Sequence, residues 1–223
     1  MGFWDWLTGR GQAIRVADDV IWMNQEAKGR GFVRDVGEQM DTSRSVLVAA
    51  HFPATLARVR EALQAQGLPY LESGGRLTAA DALRQAEQGG LTRPLVALAG
   101  ALVPEEYPGP VADDPGRFSI LVAERHFLSS NDRRIVAFAR GLARRCRITF
   151  HLALDDPLLR TFAGEWVGEI LTRLGMTDDQ PIKSAMVARR IRSAQDRFAG
   201  QKEHPEADSA EDWLRLEGAG SAG

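Results

Sequence analysis

The sequence predicts an α/β fold in which a parallel sheet is covered by helices on both faces. Three observations carry that expectation. Short, near-continuous runs rich in Val, Ile and Leu recur along the chain, as strands buried on both faces require. Segments of helical period separate them, so strand and helix alternate. The chain has 223 residues, 44% hydrophobic and 26% charged, which suits one α/β body with a sizeable core and some appendages.

Strands are expected at Val20–Met23, Val46–Ala50, Pro69–Leu71, Leu95–Ala99, Phe118–Ala123 and Ile148–Leu154. Pro53 suits a first helical position and Gly67 the residue just past a helix end, so the two bracket a helix. Thr78-Ala79-Ala80-Asp81 has capping-box spacing, and Gly89-Gly90 closes the helix it starts. Four prolines between Pro104 and Gly116 mark a loop. Gly9-Arg10-Gly11 and Gly29-Arg30-Gly31 read as turns. A further helix is expected from Ser184 to about Ala199, with Met186, Val187, Ile191, Ala194 and Phe198 near one face. Beyond Gly200 the chain turns polar and acidic and reads as a mobile tail, with Trp213-Leu214-Leu216 as a short docking segment. The expected division is an aromatic segment over 1–16, the α/β lobe over 17–175, a helix within 176–200 and the tail over 201–223.

The formal net charge is −2, so no global field draws the chain to nucleic acid or acidic membranes. The one cysteine, Cys146, permits no internal disulfide; it fits a reducing, cytoplasmic setting and reads as a core residue. No run of about 18 apolar residues is present to span a membrane. The start, Met1 to Leu7, is aromatic but lacks the basic lead and length of a secretory signal. Its Phe3, Trp4 and Trp6 can cap the domain's own core or press into a lipid interface or partner groove.

The stretch from Asp155 to Phe198 resembles the part of the SecA preprotein-translocase motors that leaves the second nucleotide-binding lobe and enters the scaffold helix. Phe150-His151-Leu152-Ala153-Leu154-Asp155-Asp156 is similar to the family's F-Y-L-S-L-E-D. Leu158, Arg160 and Phe162 follow L-M-R-x-F, and Leu174-Gly175-Met176, Pro181-Ile182, Met186-Val187, Ile191 and Ala194-Gln195 keep the order. Upstream, Asp19 to Met23 with Lys28 resembles the lobe's opening strand, Val46-Leu47-Val48 its motif IV strand, and Glu124-Arg125-His126 its E-R-H. The resemblance implies a RecA-like lobe over most of the chain.

Departures from the family pattern fall on its nucleotide-handling groups. Where motif V reads T-N-M-A-G-R-G-T-D-I, this chain has Leu98-Ala99-Gly100-Ala101-Leu102-Val103-Pro104. Against the motif VI pattern R-R-I-D-N-Q-L-R-G-R-S-G-R stand residues Arg133 to Arg145, in which Phe138 replaces the Gln. Leu142 replaces one arginine finger, and the other aligns with Arg145; Arg140 and Arg145 are the remaining candidates for nucleotide contact. A Walker A loop needs Gly immediately before Lys, yet Lys28, Lys183 and Lys202 follow Ala27, Ile182 and Gln201. The chain alone is therefore expected not to hydrolyse ATP and to require no cofactor, with ATP bound only beside a partner chain.

Arg133, Arg134, Arg140, Arg144, Arg145 and Arg147 crowd the segment 133–147, interleaved with Ile135, Phe138, Ala139 and Leu142 at helical spacing. That predicts an amphipathic helix whose basic face either binds phosphate groups and partners or is simply solvated. The four histidines show no metal-ligand spacing, and the acidic pairs Asp18-Asp19, Asp113-Asp114, Asp155-Asp156 and Asp178-Asp179 sit at element edges, where carboxylates cap helices. His126 is expected to hold a structural hydrogen bond. The expected function is a non-catalytic, degenerate SecA-like lobe that binds a protein partner, a translocation motor or its client. The alternatives are the second lobe of a split ATPase completed by another chain, with Arg145 acting in trans, and a basic module for nucleic acid or the anionic membrane periphery.

Overall fold

The computed structural model describes residues 14–43, 45–88, 93–105, 116–163, 180–182 and 185–220. Expectations for Phe3, Trp4 and Trp6, Gly9-Arg10-Gly11, Gly89-Gly90, the Asp113-Asp114 and Asp178-Asp179 pairs, the core of the proline-rich loop and the boundary at 175 lie outside these residues. The side chains of Phe162, Met186 and Val187 lie outside them too.

In chain order the elements are β1 (Ile14–Val16), β2 (Val20–Trp22), α1 (Gln25–Thr42), β3 (Ser45–Ala50), α2 (Pro53–Ala65), β4 (Leu71–Glu72), α3 (Ala79–Gln88), β5 (Leu95–Leu98), β6 (Phe118–Val122), α4 (Ser129–Arg140), β7 (Cys146–Ala153), α5 (Pro157–Ala163), α6 (Ala185–Arg197) and α7 (Ala210–Gly220). All strand pairings within the sheet are parallel, in the spatial order β1/β2, β7, β6, β3, β5, β4. This is the expected α/β fold, a parallel sheet with flanking helices. Ile182 returns to form an antiparallel bridge on the outer side of Ile21.

Period-two alternation divides the core between the two sheet faces. Val46, Val48 and Ala50 of β3 pack with Phe32 and Val36 of α1 and Leu56 and Leu63 of α2. Phe118, Ile120 and Val122 of β6 meet Ala82 of α3, Ile135 and Phe138 of α4, Ile191 of α6 and Trp213 of α7 on the other face. Each fully buried large side chain contributes roughly 1.5–3 kcal/mol. Local signals place the helices. Asn24 caps α1, accepting from Ala27 N at 2.8 Å. Gly67, at φ +67°, ends α2 in a Schellman turn, with Gly67 N bonded to Gln64 O and Leu68 N to Leu63 O. At the start of α3 the Thr78 hydroxyl accepts from Asp81 N at 3.1 Å, the expected cap bond, and donates to the Asp81 carboxylate at 2.6 Å.

Five expectations are corrected. The sheet begins before residue 17: β1 belongs to it, although three residues are too short for a periodic signal. The fourth strand is displaced to Leu71–Glu72, because Pro69 has no N–H to give a ladder. Gly29-Arg30-Gly31 is helical, inside α1. The basic helix does not run to 147; it stops at Arg140, Gly141 caps it, and Ala143 turns the chain at φ +48° so that β7 begins at Cys146. The tail is ordered beyond its expected docking segment: α7 forms there, while Trp213 docks as expected and is 0% exposed, because its ring completes an aromatic cluster.

Gly31 has a packing role. A Cβ there would lie 2.0 Å from the buried Trp22 ring, whereas one at Gly29 meets nothing within 4 Å. Gly31→Ala should therefore cost about 1–3 kcal/mol through overpacking. Gly29→Ala in the same helix should gain roughly 0.5–1 kcal/mol. Urea unfolding of the two variants checks the pair, and equal effects would contradict the packing reading.

Candidate functional site

At the carboxyl end of the sheet the chain leaves β6 as Ala123-Glu124-Arg125-His126, with Glu124 and His126 buried and Arg125 half-buried. Glu124 faces the start of α2. That helix has no side-chain cap of its own, since Phe52 holds the N-cap position. Glu124 supplies the acceptor from the neighbouring strand: Oε1 takes His51 N at 2.9 Å and Phe52 N at 3.0 Å, and Oε2 takes the Thr55 hydroxyl at 2.7 Å. Burial pushes the Glu124 pKa up, against the opposing pull of His51, Lys28 and these hydrogen bonds.

Arg125 points the other way. Its Nη2 donates to Asp19 at 2.6 Å, its Nη1 donates to Asp132 at 3.0 Å, and its guanidinium lies 3.6 Å above the Phe150 ring. A bulge brings Asp19 within reach. Val16 pairs with Ile148 but Val20 with His151, so four steps on the edge strand oppose three on β7. Asp19 ends the extra stretch. Burial raises its pKa despite Arg125.

Asp132, in the first turn of α4, is the hub. Its Oδ1 is 2.9 Å from His51 Nε2 and accepts from His126 N at 3.2 Å, and its Oδ2 accepts from Gln195 Nε2 at 2.7 Å as well as from Arg125. Burial alone would raise its pKa; Arg125, then His51 and Gln195, more than reverse this and hold the carboxyl far below the usual range. Gln195 also donates to His126 O at 2.8 Å and so ties α6 to the lobe. His126 keeps the expected structural bond, its Nδ1 accepting from Leu128 N at 2.9 Å. Burial, then the neighbouring His51, depress its pKa to about 3, so it is neutral.

A second polar cluster holds the sheet edge. Lys28 pairs with Asp156 at 2.7 Å, with both side chains 9% exposed. Asp156 also accepts from Ala153 N, and Asp155 accepts from Gln25 N at the start of α1. Trp22 Nε1 donates to His151 Nδ1 at 3.2 Å, which leaves the opposite nitrogen to donate to Asp35 Oδ2 at 3.0 Å. The pair fixes one neutral tautomer, consistent with the depression of the His151 pKa by burial.

The predicted arginines do not form one face. Arg133 donates to Ser129 Oγ at 2.9 Å and Arg134 reaches Gly100 O at 3.4 Å. Arg140 is half-buried in the last turn of α4. Arg144 lies beyond the helix and pairs with Glu87 at 2.7 Å. Arg147 is on β7 in phase with His151, and its charge acts on Asp35 of α1, on the opposite side of the sheet from α4. Arg145 is exposed immediately before β7, where its carbonyl accepts from Phe118 N at 2.9 Å. It therefore sits at the amino end of the sheet, away from Glu124 and Asp132. The buried hub was missed because Asp132, Asp19 and Gln195 are far apart in sequence; the E-R-H triplet was the only local signal.

Chemically the carboxyl-end cluster is closed. Its carboxylates are committed to internal donors, and among the described residues no group of three His, Cys, Asp or Glu side chains is placed to hold a metal ion. The groove between α1 and α2, lined by Lys28, Gly29, Phe32, Val59, Ala62 and Ala123 among others, holds about 80 Å³. Small-molecule sites usually need at least about 300 Å³. No helix among the described residues is long and apolar enough to cross a membrane.

Comparison with known proteins gives the kinship. No protein-family model matches the chain. It is 30% identical over 188 residues to the protein translocase subunit SecA of Desulfotalea psychrophila, a match covering 82% of this chain and 22% of that protein. Over 90 residues it is 43% identical to SecA of Koribacter versatilis, covering 39% of this chain and 9% of that protein. The chain thus spans about a fifth of the length of the first relative or less. Among solved structures it is similar to the C-terminal part of the Fun30 ATPase domain (TM-score 0.37, 15% identity, 80% of this chain and 57% of that one). It is also similar to the E. coli DEAD-box protein SrmB bound to RraA (TM-score 0.41, 14% identity, 68% of this chain and 86% of that one).

Removing the hub carboxylate should leave Arg125 with Asp19 alone and take one acceptor from Gln195 and from the His126 N–H. Asp132→Ala is expected to cost about 3–5 kcal/mol in urea unfolding, and a cost below about 1 kcal/mol, that of a surface ion pair, would contradict its role. His126 adds a pH dependence. Its folded pKa lies below the unfolded 6.5, so its contribution is complete above that value and is lost as pH falls towards 3. Relative to His126→Gln, the wild type should lose about 2 kcal/mol between pH 8 and pH 5. An unchanged difference would show that His126 is not held neutral.

Proposed function

We propose that this SecA-like chain is a helicase-like lobe linked to protein translocation that acts by binding a protein partner and does not itself turn over ATP. The observation that carries this reading is the state of the α2 N-terminus. In open α/β sheets, ligands are taken at the carboxyl ends of the strands, and phosphates favour helix N-termini. Here that helix end is already satisfied by the Glu124 carboxylate and by Asp208 O, which accepts from Ala54 N at 2.9 Å. A phosphate would have to displace a buried carboxylate of the same sign. The loss of motif V residues, of the motif VI Gln and of any Gly-Lys pair supports the same reading from the sequence.

Arg145 favours a second reading. It is exposed, and an arginine supplied in trans can speed phosphoryl transfer by about three to five orders of magnitude. One experiment separates the two. ATP turnover is measured for the chain alone, for a phosphate-loop-bearing motor alone and for the mixture, with wild type and Arg145→Ala. The first reading expects no turnover by the chain and no gain attributable to Arg145. Turnover by the chain alone would overturn it. A gain on mixing that Arg145→Ala abolishes would establish the split enzyme instead.

A further inference from the structure

The crevice at the carboxyl end of β3 and β6 is filled by the chain's own C-terminal segment, and the manner of filling shows what the crevice recognises. Its walls are Phe52, His126, Phe127 and Phe198. Trp213 is fully buried, stacked on Phe127 at 4.7 Å and 11°, with His126, Phe198 and His204 edge-on at 5.8, 5.3 and 5.6 Å. Five residues earlier, Asp208 O takes the Ala54 N–H at 2.9 Å, an orphan donor of the first turn of α2. The occupant is thus read by two features: an aromatic ring and a backbone carbonyl placed on a helix N-terminus.

Two details mark it as an inserted element. The connection from Ala199 to Glu206 is exposed at every position except His204, which is half-buried. The Trp213 indole N–H is buried with no acceptor among the described residues, so the ring sits in the crevice without its polar handle being matched.

We propose that this crevice is a binding site for an aromatic-bearing protein segment, and that residues 208–213 are its resident occupant in cis. A partner segment presenting a Trp-type ring and a free carbonyl displaces α7 and takes the same contacts. This rests on the partner-binding reading and names the surface used. Its test involves no nucleotide, so it succeeds or fails independently of the ATP experiment.

A labelled peptide of residues 204–220 is titrated into full-length wild type and full-length Trp213→Ala, with fluorescence anisotropy as the readout. The cis segment acts at millimolar effective concentration, so the variant should bind the peptide at least about tenfold more tightly than wild type. A peptide carrying Trp213→Ala should not bind. A folded variant that ignores the peptide, or equal binding by both chains, overturns the proposal. If circular dichroism shows the variant unfolded, hydrogen exchange on the wild type decides. The Ala54 amide and those of residues 211–217 should then exchange together, at least about a hundredfold faster than Ile120 and Leu121. Exchange of both sets at one rate overturns it.

Discussion

One carboxylate organises this lobe. Asp132 stands at the start of α4 and receives Arg125 and His126 from the end of β6, His51 from the end of β3 and Gln195 from α6. A buried charge with so many committed donors is costly to break, and the geometry of everything around it follows. Arg125 is drawn between Asp132 and Asp19, which fixes the bulged edge strand against the sheet. Gln195 fixes α6. His126 is left neutral and apolar enough to stack at 5.2 Å on Phe52 and to form part of the wall against which Trp213 packs.

The same arrangement bears on chemistry. A site for phosphate needs free donors and unpaired positive charge. At this end of the sheet the donors of α2 are taken by Glu124 and the tail, and the guanidinium of Arg125 is neutralised on both sides. The exposed Arg145 lies at the opposite end of the sheet. The donors at the carboxyl end of the sheet are thus engaged by the chain's own acceptors.

Much of the sheet was legible in the sequence because buried parallel strands and glycine-ended helices leave strong local marks. Val46–Ala50 and the Pro53–Gly67 bracket are examples. Some failures were local, such as the three-residue β1 and the strand displaced by Pro69; others came from contacts distant in sequence. Gly29-Arg30-Gly31 has turn composition, yet it is helical, and the glycine at 31 answers to the Trp22 ring, which occupies the space a side chain would need. Trp213, the expected docking residue of the tail, does find a surface on Phe127 and Phe198, but the helix around it had no signal in the polar composition. The arginine run looked like one face, yet a left-handed Ala143 and strand alternation send Arg144, Arg145 and Arg147 in different directions. The ionic hub joins positions 19, 51, 125, 132 and 195, and no window of sequence contains it.

The central claim is that the carboxyl end of the sheet is closed by the chain's own acceptors. Amide resonances of His51, Phe52 and Ala54 report on it directly, since each N–H is bonded to Glu124 or to Asp208. Titration of the full chain with Mg-ATP to millimolar levels, followed by ¹H–¹⁵N correlation spectra, should leave these three amides unmoved. Saturable movement of all three would mean that phosphate displaces the internal carboxylate, and the account would be wrong at its base.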